Sequence, residues 1–129
     1  MTPGGARADL MAALGTIPGA TVHPRLPDRF TPPAIVLTPA DPWLDTTADG
    51  LPWQAATFRF NVRVVAGIGT TEATQDRLDD TLADVLAAVY ATTAEWSVET
   101  VSAPGTLVTD GGQQYAYADV TVSAPHLIG

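Results

Sequence analysis

The sequence predicts one α+β domain over residues 1–129: an antiparallel or mixed sheet of four to five strands, with one long helix and a short N-terminal helix packed on one face. Three observations predict it. "FRFNVRVVAG" alternates strictly, with Phe58, Phe60, Val62 and Val64 on one side and Arg59, Asn61 and Arg63 on the other, which is the period of a half-buried strand. Leu78, Leu82, Leu86, Val85 and Val89 recur at helical spacing. The strands also come in runs rather than alternating with helices, which argues against a parallel doubly wound fold.

The elements follow in chain order. "ARADLMAALG" reads as a short helix with Leu10, Met11 and Leu14 on one side and Gly15 as its stop. A Pro- and Gly-rich stretch follows, with an extended piece at Thr21 to His23. "AIVLT", Ala34 to Thr38, is a β-branched strand bounded by Pro33 and Pro39. Pro39 to Gln54 is expected to be a long polar loop, with Trp43, Asp45, Asp49 and Trp53 available to contact partners. The quoted strand spans Ala55 to Val65. "GIGTTE" then opens the long helix, with Thr70 or Thr71 as cap and Glu72 at its positive end; the helix runs to about Ala91. Glu95 to Ser102 alternates as a strand. The residues after it read as a hairpin turning at Asp110-Gly111-Gly112, and "SAPHLIG" is a short tail.

Composition narrows the function. The 129 residues carry 14 acids against 6 bases, all Arg, for a formal charge of −8. Phosphate neutralisation needs clustered cations, so neither nucleic acid nor an anionic membrane is an expected partner. With no Cys, thiolate nucleophiles, disulfides and Cys-ligated zinc are excluded. The N-terminal apolar run is too short for a secretory signal, and the longest run, Val85 to Ala91, falls well short of a bilayer span. A soluble protein made in a cytoplasm is expected.

Catalytic constellations are sparse. His23 and His126 lack partners at metal-ligand spacing and read as surface histidines. "GIGTTE" lacks the Lys of a phosphate loop, so it reads as a capped helix start. Asp41, Asp45 and Asp49 are spaced by four, unlike a calcium loop. No cofactor is expected. Charge patterning is more informative. Glu72, Asp76, Asp80 and Asp84 form an acidic stripe on the long helix, Asp79 sits beside them, and Arg77 is the helix's single base. Like charges at this spacing cost a few tenths of a kcal/mol per pair. On the last strand, Ala116, Ala118, Val120 and Val122 share a face that fits under a helix, while Tyr115, Tyr117 and Asp119 join Arg59 and Arg63 on the other. Tyr and Arg are enriched at interfaces, so these residues mark a candidate subunit contact.

The opening "LMAALGTIPGATVHPRLPDRFTPPAIVLTPA", the strand "FRFNVRVVAG" leading into a capped helix, and the closing "YAYADVTVSAP" together resemble tail terminator proteins of long-tailed bacteriophages, over most of the chain. Relative to that family the first helix is short and the Trp-bearing loop is long. The resemblance implies a virion protein that forms a homo-hexameric ring on the head-proximal end of the tail tube, stops tube growth and meets the neck, without catalytic residues. In such a ring, Arg59 and Arg63 would face Asp76, Asp80 and Asp84 of the next subunit. A head–tail connector is the alternative within the same class. From a different class comes a small ligand-binding domain lidded by the Trp loop.

Overall fold

A computed structural model describes residues 2–24, 33–46, 55–69, 71–92, 96–108 and 112–127. Among these residues are two helices and a six-stranded mixed sheet, an α+β fold as the sequence predicts. The elements are α1 (Pro3–Leu14), β1 (Thr21–His23), β2 (Ala34–Asp45), β3 (Ala55–Ile68), α2 (Glu72–Tyr90), β4 (Ser97–Val101), β5 (Gly105–Val108) and β6 (Gln114–Leu127). Strand order is β1-β2-β3-β6-β4, and β5 pairs with β6 beside β4. Among the described strands, β1 to β2 is the one parallel pairing.

The centre is the antiparallel pair β3–β6, which runs from Ala55↔Leu127 to Ile68↔Tyr115 with one register shift between Val65 and Gly67. Phe58, Phe60, Val62 and Val64 face the same side as Ala118, Val120, Val122 and Ala124, and all are fully buried. The small residues of β6 leave room for α2, whose Leu78, Val85 and Val89 are also fully buried in this core. Thr71 caps α2 by accepting a hydrogen bond from the Thr74 amide at 3.3 Å. The buried Thr81 hydroxyl donates back to the Arg77 carbonyl at 2.8 Å, so it brings no unpaired group into the core.

Helix α1 starts earlier than the sequence suggests, because Thr2 caps it and Pro3 occupies its first turn. Ala6, Leu10 and Leu14 are its buried residues. Asp9 accepts a hydrogen bond from the Trp96 indole at 2.8 Å, which ties α1 to the residue just before β4.

Two element boundaries differ from the sequence reading. The expected loop at Pro39 to Gln54 is strand as far as Asp45, since β2 continues through Pro39 and Pro42. Proline lacks a backbone donor and reads as a stop, but β1 covers only Ala34 to Val36 and leaves the rest of β2 as an edge, where proline is tolerated. A register shift lies between Pro39 and Leu44. The remainder of that loop, with Asp49 and Trp53, lies outside the described residues, as do Asp110 and Gly111 of the expected turn. At the other end, the expected tail is strand, because β6 runs on to Leu127 opposite Ala55.

Replacing Leu78 by Ala should lower stability by about 2–5 kcal/mol, since a fully buried side chain beneath a helix leaves a cavity. The shift in urea midpoint at constant slope measures it.

Candidate interaction surface

The two helices cover one face of the sheet, and no described element covers the other. That open face is built by the alternate residues of β3 and β6. Arg63 and Asp119 are direct cross-strand partners, and the guanidinium is held at two points: Nε donates to Oδ1 at 2.8 Å and Nη2 to Oδ2 at 3.0 Å. Tyr117 lies two residues along β6, and its ring centroid is 4.4 Å from the Arg63 guanidinium carbon. The hydrogen bond to Asp119 raises the Arg63 pKa against the opposing effect of partial burial. A raised value favours the charged form. The stabilisation is therefore complete at neutral pH and is lost only as pH climbs through Arg63's own folded-state value.

Tyr117 lies flat because its cross-strand neighbour is Gly105. A Cβ at that position would sit 3.0 Å from the ring. Tyr115, expected on this face with Tyr117, packs down against Ala34 and Val65 in a small second cluster and is only 6 % exposed. Its hydroxyl donates to Gln113 at 2.8 Å.

Arg59 is held from two sides. Its Nε donates to Glu99 of β4 at 2.8 Å, and Nη1 donates to the Pro42 carbonyl of β2 at 3.2 Å. Glu99 reaches it because the β4 register shifts between Val98 and Thr100, which re-aims the intervening side chain. The Arg59 and Arg63 contacts bracket a groove of about 450 Å³. Its walls are Pro39 to Asp41 of β2 and Thr100 to Ser102 of β4 and the residue after it. Its floor includes Asn61 and Thr121.

Asp76, Asp80 and Asp84 are exposed on α2, on the opposite side of the sheet from the arginines. With Glu72 and Asp79 they form the acidic stripe, and they make no ion pair among the described residues. Trp43 is not a free loop residue. It sits half-buried at the core margin, edge-on to Phe60 at 6.4 Å, with the Arg7 guanidinium 5.9 Å from its ring. Asp45 closes β2 opposite Thr57. His126, expected at the surface, is half-buried between Phe58 at 5.5 Å and Trp96 at 5.7 Å, because β6 extends through it. Among the described residues, no three His, Asp or Glu side chains are grouped to hold a metal ion.

Alternation places Arg59, Arg63 and Asp119 on one face, but it does not reveal that Arg63 stands opposite Asp119, which depends on register. Nothing in the local sequence marks Glu99 as the partner of Arg59. No protein-family model matches the chain, and no curated protein matches it.

A double-mutant cycle on Arg63 and Asp119 should give a coupling of about 1 kcal/mol, because the pair is bidentate and partly shielded. The same cycle on Arg59 and Glu99 should give less, since one bond replaces two and Glu99 is more exposed. Gly105→Ala should displace the Tyr117 ring and cost about 1 kcal/mol or more, read from thermal melts, with a change in the tyrosine ring proton shifts reporting the move.

Proposed function

We propose that this chain is a structural assembly protein, a tail-terminator-like subunit that closes into a homo-hexameric ring on the tail tube of a long-tailed phage. In this reading it is not an enzyme and needs no cofactor. Its partners are further copies of itself, the tail tube protein below and the neck above. It is made in the host cytoplasm and ends in the virion.

One observation carries the reading: the molecule has two unlike sides back to back. One side is helical with exposed acids, and the other is an open sheet with pinned side chains. A ring needs two different surfaces per subunit, joined head to tail by a rotation that closes. Pre-ordered Arg and Tyr side chains suit the centre of such a contact, because little rotamer freedom remains to be lost on binding.

The intrachain pairs revise how charge would act in that contact. Arg59 and Arg63 are each neutralised within their own sheet, by Glu99 and Asp119. A neighbour's Asp76, Asp80 and Asp84 would therefore meet a nearly balanced face. Orientation would come from the shape and hydrogen-bonding pattern of the open side more than from direct ion pairing.

Electron microscopy of particles assembled without this gene tests the function. Overlong tails without heads are the expected result. Normal-length tails lying apart from filled heads would reassign the protein to head–tail joining, and normal infectious particles would remove both roles. Native mass spectrometry should separately show six-fold species once tube protein is present.

A further inference from the structure

The groove on the open face has a floor that the rest of the molecule does not use. Thr38, Asn61, Thr121 and Thr100 are consecutive register partners across β2, β3, β6 and β4. They form one row of uncharged hydrogen-bonding side chains at right angles to the strands, in which Asn61 and Thr121 line the floor and Thr100 the β4 wall. None of the four makes a side-chain hydrogen bond among the described residues. On one side of the row, two residues along β3, the Arg59 contacts strap β2 to β4, and on the other side Arg63 is clamped to Asp119. The site is thus held open by its own ion pairs.

The lining selects among occupants. Asp41, Glu99 and Asp119 outnumber Arg59 and Arg63, so a phosphate or other anion is repelled. A sugar ring would need an open aromatic face, but Tyr117 is covered by Arg63 on one side and crowded by Gly105. The walls stand three strand spacings apart, about 14 Å between backbones. Once the wall side chains are counted, less than the roughly 10–12 Å diameter of a helix remains. An extended polypeptide fits, because its amides both donate and accept. Asp41 has no partner among the described residues and supplies the one unbalanced charge.

We infer that this groove binds an extended, otherwise uncharged segment of a partner protein, with one basic side chain of that segment meeting Asp41. The inference does not depend on ring formation and would hold for a monomer.

Selection of a ribosome-displayed library of random linear peptides on the immobilised full chain tests it. Uncharged polar sequences with a single Lys or Arg should be enriched. Their affinity should fall about tenfold on an Asn61→Ala/Thr121→Ala variant that melts like the parent. Asp41→Asn should weaken only the peptides that carry the basic residue. Amide shifts on titration should map to Asn61, Thr100 and Thr121. Equal enrichment on the double variant, enrichment of acidic or apolar sequences, or shifts elsewhere would overturn the inference. Concentration-dependent shifts at Asn61 without peptide would also overturn it, by assigning the groove to a second copy of the chain.

Discussion

The register of β3 against β6 is the constraint on which the rest depends. Side chains alternate with a period of two, so a slip of one residue would turn Phe58, Phe60, Val62 and Val64 out of the core together. The apolar pairs on the helix side therefore fix the pairs on the open side. Val62 opposite Val120 and Val64 opposite Ala118 leave Arg63 opposite Asp119 and Asn61 opposite Thr121. The ion pair is a consequence of the core as much as a support for it. Its bidentate geometry in turn penalises the slipped register, which would leave a guanidinium in the apolar layer.

Both edges of the sheet are poorly suited to adding another strand. On one side β1 is three residues long, and beyond it β2 carries Pro39 and Pro42 with a register shift between Pro39 and Leu44. On the other side β4 and β5 run in the same direction along β6 as one interrupted edge, broken at Ala103 and Pro104 and irregular at Glu99. Ser102 bridges the gap: its amide donates to the Asp119 carbonyl at 2.8 Å, and its hydroxyl accepts from the Asp119 amide at 2.9 Å. Prolines, bulges, short strands and an edge charge are the usual means of discouraging edge-to-edge pairing. Any association through the sheet would thereby fall to its faces rather than its edges.

Much of the fold was legible because it rests on short-range periodicity. The helix face of Leu78, Val85 and Val89, the Thr71 cap and the alternation of β3 and β6 are each visible within a dozen or so residues. The continuation of β2 through Pro39 was not, because whether a proline interrupts a strand depends on what lies beside it in space. The site divides the same way. Face membership of Arg59, Arg63 and Tyr117 follows from alternation. Their partners follow from register and from a bulge in β4, which puts Glu99 on Arg59 from 40 positions further along the chain, and local pattern holds no record of either. Tyr115 shows the limit most sharply: alternation assigns its side of the sheet but not its burial against Ala34 and Val65.

The pinned arginines also change where charge can matter. With Arg59 and Arg63 committed inside the chain, altering them disturbs the sheet as well as any contact made across it. The acids of α2 are different, because Asp76, Asp80 and Asp84 are exposed and have no ion pair among the described residues. Two α2 helices brought face to face would set like charges against each other with one base, Arg77, on each to offset them. A symmetric helix-to-helix pairing is therefore disfavoured, while a helix-to-sheet contact meets a side close to neutral. Repulsion of the wrong arrangement, more than attraction in the right one, is then the way the excess negative charge would promote a closed head-to-tail ring. A groove filled by an extended segment would leave the surrounding sheet surface to make that contact.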